Sequence, residues 1–572
     1  MRHARDSYYV VGEGDLTFDF QGRPVVRQPS TRSQLRRFRF SRLGPKGQPA
    51  DPALIQELAV AMTSPAAQPD STGPGVPAGF TYLAQFADHD LTLDKTAVAL
   101  GEDVTVAELV DGRSPALDLD SLYGRGPGHP DDRKFYAGDG VKLKVGTTAA
   151  VPIDAGTNVD LTGFDLPRTG VGATRADERT ALIPDARNDE NLAVAQTHVA
   201  FIRFHNRVVD RLATQGHPSA LLFEHARAEV IRHYQWLLRT DFLPRVVEPS
   251  IVDEVFGKGR QFFEVGERTQ GWPGVGVERG SGGPDAGRPD QAATMPIEFA
   301  VAAYRLGHSM VRDKYNWNRV FNADAPFGLA TLFQLFTFTG TSGNLTPTTD
   351  IAELDDPNGG TFLRLPTNWI VDWRRLHDFS PIPDRPDLVP PFPHGTGNVT
   401  KRIDTLLVDP LADLPAGTFG GRSVGLPADS IQRNLAFRNL TRANMVQLAS
   451  GQQMAEFLGV KPLDRNQILQ GDGSGADLGG LSAENRDALV ASTPLWFYVL
   501  REAEVNGGRL TGVGGRVVAE FFHRAMEVSS VSIVRDPTWR PTLGPDPETF
   551  RMIDLLLFGA AGSISVLNPL GD

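Results

Sequence analysis

Apolar residues in this chain recur at three- and four-residue steps and scarcely anywhere alternate, which restricts it to a mainly helical body. The clearest run is 191–213, where Leu192, Ala195, Val199, Ile202 and Val209 mark one face of a helix. Further helices are expected at about 52–63, 218–241, 294–313, 429–445, 482–504 and 513–527. The segments between them are rich in glycine and proline, 59 and 42 residues in all, so long irregular loops should cover the helices. The loosest are 124–180 and 265–293. With 572 residues, 40% of them hydrophobic, the chain can bury a large core. The expected fold class is mainly α with little β.

The chain has no cysteine, which excludes disulfides, thiolate metal sites and iron–sulfur clusters. A net charge of -12 leaves no domain-scale positive field, so no nucleic-acid partner is expected. The basic cluster 32–42 is short and mixed with Phe38 and Phe40, and reads as an N-terminal arm packing on the body. Neither a secretory leader nor a membrane span is visible, because the run Leu555–Leu567 is short and interrupted by glycine and serine. The compartment therefore stays open between the cytoplasm and export without a cleavable signal.

Several polar groups stand where chemistry could use them. Gln85-Phe86-Ala87-Asp88-His89-Asp90 places an imidazole between two carboxylates, one helical turn after a glutamine. His308 lies inside the apolar stretch 297–310, where a lone histidine is either a core residue satisfied by a backbone carbonyl or a buried ligand. His198 and His205 sit two turns apart on the long helix, but with no carboxylate at an adjacent turn they read as buried or capping histidines rather than metal ligands.

These segments occur in one order with Ser114-Pro-Ala-Leu-Asp118-Leu-Asp120-Ser-Leu-Tyr123-Gly124, Arg187-Asn-Asp-Glu190, Tyr304-Arg305-Leu-Gly307-His308 and Asn439-Leu-Thr-Arg442. Together they resemble the peroxidase-cyclooxygenase superfamily, the animal-type haem peroxidases, over roughly residues 50–560 and most closely its bacterial-type members. Because these motifs straddle both loose segments, the expected organisation is an arm, 1–50, and one haem peroxidase domain, 51–572.

The resemblance implies haem b with His308 as the axial iron ligand. Asn439 would accept from its second nitrogen, and Arg442 would pair with a haem propionate. Arg305, three residues before His308, and the adjoining Gly307 belong to the same proximal pattern. On the distal side, His89 would be the proton-transfer base, Arg187 the cation and Gln85 a contact to water or halide. Asp88 and Glu190 match the positions that form ester links to haem. Asp90, Ser114, the Ala116 carbonyl, Asp118 and Asp120 match a calcium site of hard oxygen ligands.

The implied function is reduction of hydrogen peroxide, through a ferryl porphyrin-radical intermediate, with oxidation of halides, thiocyanate or small phenolic donors. Asn191 stands where myeloperoxidase has a methionine that forms a third haem link, so that link should be missing and strong chloride oxidation is not expected. Two alternatives remain. A fatty-acid dioxygenase of the same superfamily would need a tyrosine three residues before His308, where this chain has Arg305. A non-catalytic haem-binding or adhesion module would have no use for the distal groups.

Overall fold

Helix starts follow the capping side chains that the sequence supplies. In the computed structural model, α1 (Pro52–Met62) begins where Asp51 accepts from the Ala53 amide and Pro52 presets the first turn. The structure describes residues 40–64, 72–94, 99–109, 111–173, 175–265, 294–342, 363–389, 398–414 and 430–572, with three short strands before residue 28. Helix makes up about 47% and strand 8%, and every described strand has two to six residues, so the fold is mainly α as expected.

Two helices carry the distal half of the site. Helix α2 (Gly79–Leu91) is buried along most of its length. Helix α3 (Leu192–Thr214) starts where Asn191 accepts from the Val194 amide and runs for 23 residues. That is about 35 Å of rigid support. It packs against α2 and against α4 (Leu222–Leu237), which continues into a π turn at Leu238–Phe242.

The proximal half is less regular. The helix expected at 294–313 is broken into Ile297–Val301, a 3-10 turn at Ala303–Leu306 and the short α5 (Gly307–Met310). The break falls at Ala302, whose φ of -130° and ψ of -76° leave the helical region. Helix α6 (Leu435–Met445), capped by Asn434, lies against α1. The helix expected at 482–504 is also two, Ala483–Ala491 and α7 (Leu495–Val505), because Pro494 cannot continue the hydrogen-bond ladder. Helices α8 (Gly512–Glu527) and α9 (Met552–Gly559) pack against α7 and α3 respectively.

Among the described residues nearly all buried apolar side chains form one continuous cluster from Phe40 to Leu570, with Ala116 and Val528 apart from it. Of the basic segment, residues 32–39 lie outside the described residues, while Arg42 donates to the carbonyls of Val446 (2.6 Å) and Gln447 (2.8 Å). Of the loose segments, 124–180 is indeed irregular, and 266–293 lies outside the described residues. Among the described residues no helix is long and apolar enough to cross a membrane.

Candidate active site

Helix α2 sets the first geometry. Gln85 and His89, one turn apart, share a face of the helix, and His89 is 4% exposed. Burial, reinforced by the Arg187 guanidinium, pushes its imidazole down to about 3, so the ring is neutral at ordinary pH.

Arg187 arrives on the 3-10 turn Ala186–Asp189, which is capped by Asp185 accepting from the Arg187 amide. The same carboxylate grips the Arg187 side chain at Nε (3.1 Å) and Nη2 (2.8 Å), and Arg113 at Nε (2.9 Å). Burial opposes ionisation of Asp185, but Arg113 and Arg187 hold it well below the ordinary carboxylate range. Both arginines also donate to the His89 carbonyl, at 3.2 Å and 3.1 Å.

The distal ring is held from behind. Asn188 Oδ1 accepts from His89 Nδ1 at 2.9 Å, and Asn188 Nδ2 donates to His198 Nδ1 at 3.0 Å. Gln85 Oε1 accepts from Asn191 Nδ2 at 2.9 Å, so the residue that caps α3 also orients the glutamine. His205 takes no part: Nδ1 meets the Tyr123 hydroxyl and Nε2 the Val141 carbonyl, each at 3.0 Å, a buried structural histidine as the sequence suggested.

Asp88 and Glu190 face the same region. Burial raises Asp88 against the pull of Arg187 and Arg305, and Thr92 Oγ1 donates to its Oδ1 at 3.2 Å. Burial pushes Glu190 up to about 8, opposed by Arg187 and assisted by Asp185 and Asp88. The coupling of Asp88 to Arg305 shows that the distal helix and the His308 segment face one another, and α2 packs on α5.

On the proximal side the structure brings His308, Arg305 and Asn439 together, with a polarity opposite to the expected one. Arg305 Nη1 donates to Asn439 Oδ1 at 3.1 Å, so the amide turns Nδ2 toward His308 Nδ1 and donates at 2.8 Å. Asn439 is thus a donor here, because the guanidinium holds its oxygen. Arg442 is ion-paired with Asp94. Burial, then Arg305, pushes His308 down to about 3. Trp496 stands edge-on to the His308 ring at 6.3 Å and donates from Nε1 to the Arg305 carbonyl at 3.3 Å.

The donor set fits a haem. His308 is a neutral, half-buried imidazole, and a Cβ built on the adjacent Gly307 would meet nothing within 4 Å. The open side at Gly307 is the close approach that a flat macrocycle needs. Two arginines within reach of one another's charge suit two propionates.

Of the oxygen ligands expected for calcium, Asp90 lies near both Asp120 and Asp118, and burial, then their charges, raise its carboxyl to about 8. Asp90 accepts from the amides of Leu119 (3.1 Å) and Ser121 (3.2 Å), and the Ala116 carbonyl accepts from the Asp118 amide (2.9 Å). Asp118 Oδ1 takes Ser529 Oγ (2.6 Å) and the amide and hydroxyl of Ser530 (both 2.7 Å). Ser114 is buried nearby, and Asp120, also buried, opens the short helix Asp120–Tyr123. Among the described residues no group of three or more histidine, aspartate or glutamate side chains is placed to hold a metal ion. Protein donors engage Asp90, the Ala116 carbonyl and one oxygen of Asp118.

Residues 76–335 match the family model of the animal haem peroxidases. The chain carries an animal haem peroxidase domain. The matched span includes Gln85, Asp88, His89, Arg187, Glu190, Arg305 and His308 and ends before Asn439. A peroxidase-like protein of Margaritifera margaritifera is 30% identical over 142 residues, which is 24% of this chain and only 15% of that protein's length. Peroxidase A from Dictyostelium discoideum superposes with a TM-score of 0.55 over 93% of this chain and 94% of its own, at 14% identity. A fatty acid alpha-dioxygenase from Arabidopsis thaliana gives 0.50 over 92% and 76%, at 13% identity. At such identities the haem peroxidase domain shares a fold with both, and that fold serves more than one oxidation. The family so matched is one of haem-binding oxidoreductases.

Sequence reading missed Asp185, Arg113, Asn188 and Asp94. Asp185 carries a signal, since a carboxylate two residues before Arg187 is where a helical turn takes its cap. Asp94, three residues past the end of α2, and Arg113, further along the same connection, carry none.

Proposed function

We propose that the chain is a peroxidase, reducing hydrogen peroxide to water with two electrons from bromide, iodide, thiocyanate or a small phenol. The observation that carries this reading is the buried neutral His89 beside the Asp185-anchored Arg187, facing the segment that bears His308. Residues 51–572 would form one catalytic unit, in keeping with the continuous core, with 1–50 as an arm.

Haem, when bound, would supply the redox chemistry that peroxide reduction needs. His308 would hold its iron. Arg305 and Arg442 would turn to the propionates, and release of Arg305 would let Asn439 present its oxygen to His308 Nδ1–H. His89 would take the proton from one peroxide oxygen and return it to the other, which leaves as water. The Arg187 guanidinium would offset the charge that develops on that oxygen. Gln85, oriented by Asn191, would turn its amide nitrogen toward water or halide.

Asp88 and Glu190 would supply one or two ester links, with peroxide as the oxidant. Acid acetone should then leave haem on the protein after peroxide treatment, and complete extraction would exclude the links.

A competing dioxygenase reading needs a tyrosyl radical three residues before His308. Arg305 stands there, and the Tyr304 hydroxyl donates to the Ala84 carbonyl at 3.3 Å in a stack with Phe299. The test is turnover of the haem-loaded protein: peroxide-dependent oxidation of bromide, thiocyanate or phenol supports the peroxidase. Oxygen uptake with linoleate and none of those oxidations would replace it with the dioxygenase.

A further inference from the structure

The Asp185-capped turn delivers two groups to the distal site, and the reading above uses only one. Arg187 is the first. The second is Asn188, whose side chain lies wholly buried between two imidazoles, with His89 at 4% and His198 at 1% exposure. We infer that Asn188, oriented by His198, is the positioning residue that fixes His89 in the tautomer able to accept a proton.

The argument follows from the chemistry of an amide. Its oxygen only accepts and its nitrogen only donates. With Oδ1 at His89 Nδ1 (2.9 Å) and Nδ2 at His198 Nδ1 (3.0 Å), the two rings must carry complementary protons. His89 is protonated at Nδ1, so Nε2 holds the lone pair. His198 offers its lone pair at Nδ1, and its proton sits on Nε2. Turning the amide over would exchange both tautomers at once, so neither ring can change alone without leaving a buried polar group facing its like.

That constraint opposes the default. A free histidine side chain in water favours the proton on Nε2, and a ring in that form has no lone pair at Nε2 with which to accept a peroxide proton. Asn188 would hold His89 in the less common form. The frame behind it is stiff: the Asn188 amide donates to the Asp185 carbonyl at 3.1 Å. His198 stands edge-on to Phe86 at 5.8 Å, and Phe86 stacks on Phe201 at 4.5 Å.

The inference rests on the reading of His89 as the base, and its test separates the two. The full-length chain without haem is labelled with 15N at histidine, and the His89 signals are identified by their loss in H89Q. Long-range 1H–15N correlations then read each tautomer. The wild type should show His89 protonated at Nδ1. In N188L it should revert to the Nε2-protonated form, and in H198F, which leaves Asn188 in place but removes the acceptor that orients it, both forms should appear. Nε2 protonation in the wild type, or an unchanged Nδ1 proton in either variant, would overturn the inference. Should N188L fail to fold, the wild type and H198F still decide.

In the haem-loaded protein, N188L and H198F should react with peroxide at least tenfold more slowly at equal haem content. An H89A variant that reacts at the wild-type rate would instead remove the base reading, whatever the tautomer experiment shows.

Discussion

Glu190 shows how a single buried carboxyl can couple stability to pH. Its folded value stands at about 8 against an ordinary 4.5, because burial penalises the charged form more than Arg187 favours it. Between those limits the folded chain keeps a proton that the unfolded chain has released. The stability it contributes is therefore complete below about 4.5 and is lost as pH rises through 8. Urea unfolding of the haem-free protein should give a lower free energy at pH 8 than at pH 5, and Glu190→Gln should remove on the order of a few kcal/mol of that difference. An identical pH dependence in the variant would show that Glu190 ionises normally. Asn191 joins two tasks, capping α3 and holding Gln85. Asn191→Ala should lower stability by about 1 kcal/mol in urea unfolding. Asn191→Ser should recover most of that loss, since serine also caps, while leaving Gln85 without its donor.

At the scale of elements, α2 distributes four polar groups to different neighbours. Gln85 and His89 share one face, Asp88 meets Thr92 and the arginines, and Asp90 turns into the loop at Leu119–Ser121. The last contact anchors the helix end that presents His89. Asp90→Ala would strand two buried amides and should cost about 2–4 kcal/mol. A thermal or urea transition unchanged in that variant would show that the loop does not rely on Asp90. The same elements show what sequence could tell. The long helix was legible at 191–213 because its apolar period and its Asn191 cap agree, and the structure begins it at Leu192. The division at Pro494 has a local cause that the periodicity of 482–504 overrode. The break at Ala302 has no local signal, because it comes from how the His308 segment packs between α2 and α8.

At the scale of the whole molecule, the candidate site joins residues far apart in sequence: His89 with Asn188, Arg305 and His308 with Asn439, and Arg442 with Asp94. The order of the motifs made the residue set legible through family resemblance. Polarity was not legible, since whether Asn439 donates or accepts depends on which partner holds its oxygen, and Arg305 holds it here. The Asp90, Asp118 and Asp120 carboxyls were legible as neighbours, and the latter two do add to burial in raising Asp90, but the serines more than 400 residues away that donate to Asp118 were not. The central claim is that His89 is the proton-transfer group of a haem site built on His308. Its most direct test is stopped-flow absorption of the haem-loaded protein mixed with one equivalent of hydrogen peroxide, comparing the wild type with His89→Ala at equal haem content. The account expects a rapid spectral change in the wild type and one slower by about 10²–10⁴-fold in the variant. Equal rates would contradict it.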